Sequence, residues 1–141
     1  MRDQVILRIG VKVLIPFILV FALYVQFHGD YGPGGGFQAG VIFAAGFVLY
    51  ALVFGLARMS RVLPSVVWRT LAPLGVMVYA GTGVASLFRG GRFLDYNVLR
   101  HDPIHGQHLG ILLVELGVLT TVFAVMTGIF VTFASRGKVE E

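Results

Sequence analysis

The chain lacks cysteine altogether and is poor in charge, with 13% charged residues among 141. Without cysteine it has no disulfide framework, no thiolate nucleophile and no cysteine-ligated metal. Soluble domains usually carry about 25% charged residues. Because 57% of this chain is hydrophobic, its polar residues are too few to cover a globule of this size. Its apolar surface is therefore expected to face lipid or other subunits.

The sequence contains long apolar segments with few charged residues. Crossing a bilayer core takes about 20 mostly apolar residues, and four segments meet that length. The sequence therefore predicts an all-α membrane protein with four transmembrane helices, forming a single domain over residues 1–141. The predicted spans cover residues 9–27, 37–57, 70–88 and 109–134.

Basic residues are unevenly divided between the two sides that four spans define. The side of both termini and the middle loop carries eight, and the other side carries three. Since cytoplasmic loops are enriched in Lys and Arg, we expect both termini in the cytoplasm. No nucleic-acid-binding motif accompanies these residues, so nucleic acid is not an expected partner. The eight are Arg2, Arg8, Lys12, Arg58, Arg61, Arg69, Arg136 and Lys138, and the three are Arg89, Arg92 and Arg100.

Glu115 is a carboxylate with apolar neighbours on both sides. A carboxylate in hydrocarbon costs several kcal/mol, so a buried Glu115 would face protein or trapped water, or be protonated, which suits a proton-handling group. Alternatively, residues 116–135 are long enough to span without it, which would leave Glu115 hydrated at the outer interface. Both interpretations stay open.

Lys12 lies in the first turns of the first predicted span. It either extends to the cytoplasmic surface or contributes to an ion path. The predicted topology separates Lys12 from Glu115 by about 15 Å or more in depth, at a rise of 1.5 Å per residue. Any buried partner of Glu115 is therefore expected in another chain.

Two apparent catalytic or binding patterns have weak support. His101, His105 and His108 have the spacing of metal ligands, but Pro103 and Gly106 are expected to interrupt the helix that would align the imidazoles. No Ser/His/Asp set with an activated nucleophile is evident. We therefore expect no metal, no cofactor and no enzymatic activity.

A Gly-Pro-Gly-Gly-Gly-Phe-Gln segment covers residues 32–38. It lacks the Lys and Ser or Thr that a phosphate-binding P-loop requires. Proline fixes one backbone angle, and glycine adopts conformations closed to other residues. We predict a tight turn that lets backbones approach closely and then starts the second helix. The residues of this turn and of the packing beside it are Pro33, Gly34, Gly35, Gly36, Phe37, Gln38 and Gly40.

The stretch from His28 to Ile42 closely resembles the His-Gly and Pro-Gly-Gly-Gly-Phe-Gln-x-Gly signature of the MnhB family, which supplies one of the subunits of Mrp-type multisubunit Na+/H+ antiporters. Gly-Gly-x-Phe-Leu-x-x-Asn at residues 90–97 and Glu-Leu-Gly-Val at 115–118 recur in the family's order, so the resemblance covers nearly the whole chain. Asp30 stands where the family often has a second histidine, and residues 100–105 depart from the family's shorter loop.

The resemblance implies a plasma-membrane complex of several unlike hydrophobic subunits that exchanges cytoplasmic Na+ for external H+. This chain would contact other antiporter subunits and lipid, help the complex assemble and line part of an ion path. The resemblance adds His28 to Glu115 and Lys12 as candidates for that path. The transported species would be Na+ and H+.

Two other functions fit the residues. One is a self-sufficient four-span homo-oligomer, such as a small multidrug-type exporter or a minimal channel. Exporters of that kind place their essential acid in the first span, whereas this chain has Lys12 there and Glu115 in the fourth. The other is a scaffold protein of the complex that makes no contact with the ion.

Overall fold

A computed structural model of the protein describes residues 4–29 and 31–136. In chain order the helices are α1 (Val5–His28), α2 (Gly36–Phe54), the short α3 (Leu56–Val62), α4 (Ser65–Phe88), a 3-10 helix (Tyr96–Leu99) and α5 (Pro103–Arg136). Four of them, α1, α2, α4 and α5, are long and apolar enough to cross a membrane. The predicted all-α membrane protein with four spans is confirmed. Arg2, Asp30 and Lys138, named above for their charge or position, lie outside the described residues.

The end of the second span differs from the prediction. Helix α2 stops at Phe54 rather than Ala57, because Gly55 adopts a φ of 93°, which residues with a Cβ rarely adopt. The chain then forms α3, which covers the last residues of the predicted second span and part of the stretch between the second and third predicted spans. Helix α4 begins directly after Pro64, five residues before the predicted start of the third span.

The start of α5 contradicts the expectation that Pro103 and Gly106 interrupt a helix. Pro103 is the first residue of α5, where a missing N–H leaves no helical hydrogen bond unmade. Asp102 caps this end, since its Oδ1 accepts from the Ile104 amide at 3.1 Å and its carbonyl oxygen accepts from the Gly106 amide at 3.0 Å. His105 and His108 therefore lie within α5.

The four long helices pack as a row. Helix α2 lies between α1 and α5, and α5 lies between α2 and α4, so α1 and α4 occupy the two ends of the row. Of the most apolar 18-residue stretch of each helix, 39% is buried in α2 but only 11% in α1. Large apolar side chains such as Ile6, Phe17 and Phe88 stay exposed. The row is one helix thick, and its broad flanks are apolar.

The hydrophobic core lies toward one end of the long helices. Its buried members are Ala44, Ala51, Met59, Leu63 and Phe123. The Phe123 ring packs edge-on against Phe43, with 5.2 Å between ring centres, so α3 and α5 enclose the second half of α2. We call this the terminal end, marked by Val5, α3 and Arg136. The opposite, turn end holds residues 29–35 and 89–102.

Candidate functional site

Glu115 meets the turn between α1 and α2. Its side chain is half-buried and lies over the backbone of Gly29 and Gly35. A Cβ added to Gly29 would come 2.7 Å from Oε1 of Glu115, and one added to Gly35 would come 3.1 Å from the same oxygen. A Cβ on Gly36 would overlap the backbone oxygen of Glu115. The carboxylate therefore lies level with the first residue of α2 and faces protein backbone on this side.

Hydrogen bonds fold the turn back onto the end of α1. The amide of Gly35 donates to the carbonyl oxygen of Val25 at 3.2 Å, and the amide of Gly32 donates to that of His28 at 3.1 Å. Gly35 has a φ of 124°, a conformation that favours glycine. A Cβ on Gly34 would come 2.6 Å from the Val25 oxygen. The predicted close backbone approach is present, and the second helix starts at the end of the turn.

The other predicted turn and packing residues lie in different surroundings. Gly40 is buried against α5, where an added Cβ would come 2.9 Å from the carbonyl oxygen of Leu119. Pro33, Phe37 and Gln38 are exposed. Contact between α2 and α5 at this end is therefore made through glycine backbone rather than through large side chains.

His28 lies on another side of the turn. Its ring stacks on Tyr24, with 5.2 Å between ring centres, and its Nε2 is 2.9 Å from where a Cβ on Gly32 would lie. Tyr24 is 57% exposed, so these contacts place the ring toward the outside of α1. The next residue, Gly29, is the one that faces Glu115.

Lys12 lies at the terminal end. Its ammonium is 5.9 Å from the centre of the Phe54 ring. Since α2 runs from Gly36 beside Glu115 to Phe54 beside Lys12, about 27 Å of helix separates the two ionisable groups. The structure does not bring Lys12 and Glu115 together.

Gln26 is a polar residue of this region that sequence reasoning missed. It is 1% exposed, and neither polar atom of its side chain has a hydrogen-bond partner among the described residues. Gln26 precedes Gly29 by three residues, which puts both on one face of α1, about 4.5 Å apart along the axis. The signal in the sequence is a carboxamide within an apolar span, although only the fold shows which face of α1 it occupies.

Further ionisable groups lie on α5 toward the turn-end surface. His108 precedes Glu115 by seven residues, so two helical turns place both on the same face. The His108 ring lies 6.4 Å from the ring of Tyr31. Still closer to the surface, His105 Nδ1 is 2.6 Å from Oδ2 of Asp102. The hydrogen bond with His105, followed by that from the Ile104 amide, holds the pKa of Asp102 below its usual value.

The described residues of this end form no cage of metal ligands. Within residues 4–29 and 31–136, no group of three or more His, Asp or Glu side chains could hold a metal ion. What the structure brings together is a single carboxylate, a turn of bare backbone and a buried amide one helical turn deeper.

Comparison with known proteins identifies relatives along nearly the whole chain. The family described as "Domain related to MnhB subunit of Na+/H+ antiporter" matches residues 6–128. A Staphylococcus haemolyticus protein named "Putative antiporter subunit mnhB2" is 32% identical over 137 residues, covering 90% of this chain and 96% of the relative. The protein of the same name from Staphylococcus aureus strain Newman is 35% identical over 136 residues, covering 94% and 96%.

Proposed function

Because the chain belongs to the family of domains related to the MnhB subunit of Na+/H+ antiporter, we propose that it is one subunit of a multisubunit cation/proton antiporter. The assembly exchanges cytoplasmic Na+ for external H+ at the cell membrane, with both termini of this chain in the cytoplasm. It uses no cofactor. Two observations support this proposal. The relatives are named as antiporter subunits, and the flanks of the helix row are largely uncovered.

In the proposed mechanism, Glu115 takes up and releases a proton or a cation at the outer half of the assembly. The observation that carries this role is the contact between the carboxylate and the glycine turn at Gly29 and Gly35. The charge state of a half-buried carboxylate beside backbone depends on the protein and water that surround it. His108 lies between Glu115 and the turn-end surface, and Gln26 lies on the inner side of it, so polar groups continue the path in both directions.

Replacing Glu115 tests this role. Glu115→Gln keeps the size and the hydrogen-bonding capacity of the side chain but removes its charge, whereas Glu115→Asp keeps the charge. We expect Glu115→Gln to lower Na+/H+ exchange by about a hundredfold, the usual contribution of a proton-transfer group. Glu115→Asp should retain part of the activity. Exchange is measured as a sodium-dependent pH change in membrane vesicles, together with a pull-down that verifies assembly.

Asp102→Asn is the matched control, since Asp102 is an exposed carboxylate at the same end and asparagine caps a helix about as well as aspartate. This variant should exchange normally. Normal exchange by the assembled Glu115→Gln variant would overturn the role of Glu115 and leave the chain as a scaffold of the complex. Exchange by this chain reconstituted alone would instead support the self-sufficient transporter.

A further inference from the structure

A cavity of about 450 Å³ opens at the terminal end, where α2 passes into α3. Three arginines line it, Arg8 from α1 and Arg58 and Arg61 from α3, and Phe54 and Gly55 form part of the wall. We call it the arginine cleft. It lies at the opposite end of α2 from Glu115, and the proposed ion path does not use it.

The fold holds the arginines in place around this cleft. The positive φ of Gly55 ends α2 and lets α3 start in a new direction. Met59 on α3 and Leu63 directly after this helix are buried in the core, while Arg58 and Arg61 stay exposed. These two arginines are three residues apart, a spacing that brings side chains together on a helix surface.

The third arginine is positioned by an aromatic ring. The Arg8 guanidinium carbon lies 5.5 Å from the centre of the Phe54 ring, within the range of a cation–π contact. Lys12 approaches the same ring and adds a fourth positive charge beside the cleft. The Phe54 ring thus lies close to two cationic side chains of α1, Arg8 and Lys12, beside the cavity.

No described carboxylate balances this charge. Within residues 4–29 and 31–136 the acidic side chains are Asp95, Asp102 and Glu115, all on the loops or helix at the turn end. Of these, Asp102 pairs with His105. Guanidinium groups in one cleft repel each other, and an anion bound between them relieves that repulsion.

The depth of the cleft indicates where such an anion would come from. Helix α2 has 19 residues, about 28 Å of helix, which matches a hydrocarbon core of about 30 Å. Phe54 at its end therefore lies at the level of the lipid headgroups. Apolar residues continue from the cleft toward the membrane centre, and Ile9, Val13 and Leu52 among them are each more than half exposed.

We propose that the arginine cleft binds the phosphate headgroup of an anionic phospholipid, whose acyl chains lie along the exposed apolar surface of α1 and α2. Guanidinium is planar and offers paired donors that match phosphate oxygens. Basic pockets between transmembrane helices bind lipid headgroups in this way. The inference is independent of the exchange reaction, because the cleft and Glu115 lie at opposite ends of the molecule.

Lipid binding by matched double variants tests the proposal. The assembled protein, isolated through a tag on the full-length chain, is depleted of lipid and titrated with phosphatidylglycerol, and bound lipid is counted by native mass spectrometry. Arg58→Gln with Arg61→Gln should weaken binding about thirty-fold, since each basic residue near anionic lipid contributes roughly a fivefold step. Arg69→Gln with Arg136→Gln removes two charges from the same end but none from the cleft, and should change binding less than about twofold.

Three outcomes would overturn the proposal. The first is equal weakening by the two double variants, which would indicate attraction to the general positive charge of this end. The second is equal binding of phosphatidylcholine, or displacement of phosphatidylglycerol by inorganic phosphate at the same concentration, which would exclude an anionic lipid as the ligand. The third is loss of another subunit from the Arg58→Gln, Arg61→Gln protein, with unchanged lipid binding, which would assign the cleft to an acidic segment of that subunit.

Discussion

Two buried residues carry polar groups that the described part of the chain leaves without a hydrogen bond, Gln26 on α1 and Thr127 on α5. An unsatisfied buried polar group costs about 1–3 kcal/mol, so its presence needs a reason. Gln26 lies on the face of α1 that also carries Gly29, beside Glu115. Thr127 lies twelve residues beyond Glu115 on α5, in the half of the molecule that holds the core.

Replacing Gln26 with leucine separates function from stability. Gln26→Leu removes an unpaired amide from an apolar surrounding, so the unfolding temperature of the assembled protein should rise, with a gain of about 1 kcal/mol or more. If Gln26 lines the proposed path, exchange should fall about tenfold or more at the same time. Thr127→Val is the control and should stabilise without changing exchange. Unchanged exchange in assembled Gln26→Leu would remove Gln26 from the path.

The sequence singles out Glu115 but neither Gln26 nor Thr127, for a physical reason. Glu115 stands out because a charge within an apolar run is costly wherever the helix faces. Gln26 and Thr127 are neutral, and polar neutral residues are common in spans, so their burial depends on which face each helix turns inward. That choice is made by packing, and it cannot be read from α1 or α5 alone.

Close contact between elements depends on glycine at the turn end. Gly36 packs on the backbone of Glu115, and Gly40 packs on that of Leu119. Gly75 of α4 makes the corresponding contact on the other side of α5, where an added Cβ would come 2.6 Å from the carbonyl oxygen of Gly117. Backbone cannot yield as a side-chain tip can, so these glycines fix the spacing of α2, α5 and α4.

Alanine at two glycines should show opposite effects. Gly36→Ala forces α2 away from α5 and should destabilise the assembled protein by about 1–3 kcal/mol, the usual cost of overpacking. Gly81→Ala places its Cβ in open space and should be neutral or stabilising by up to about 1 kcal/mol, because alanine favours the helix. Unfolding temperatures of the two purified variants provide the comparison. Equal stability would exclude a close-packed α2–α5 contact at Gly36.

Long helices were predictable at this scale, and α3 was not. The four spans follow from runs of apolar residues that no soluble loop would carry. A helix of seven residues is too short to be stable on its own. Helix α3 is held by the burial of Met59 and Leu63 in the core, which depends on the distant residue Phe123. Its existence therefore follows from the tertiary structure rather than from local sequence.

The whole molecule exposes more apolar surface than an isolated protein in water could leave uncovered. Part of that surface is available to other subunits. We expect a tag on this chain to recover several unlike membrane proteins from its native membrane. The chain purified alone should be less stable than the chain within the assembly. Reconstituted by itself it should show no sodium-dependent proton flux above empty vesicles. Full exchange by the lone chain would contradict membership of a larger assembly. An unrelated tagged membrane protein of similar size serves as the control for non-specific recovery.

The helix row also has an electrical consequence. The row formed by the four long helices has the thickness of one helix, about 10–12 Å with side chains, because α2 lies between α1 and α5, and α5 lies between α2 and α4. Charges within the row are weakly screened, since mobile ions are absent from hydrocarbon and buried charges are screened much less than exposed ones. The electric field of a proton or cation on one flank of the row therefore extends to the other flank. Two neighbouring subunits separated by this chain would remain in electrostatic communication through it.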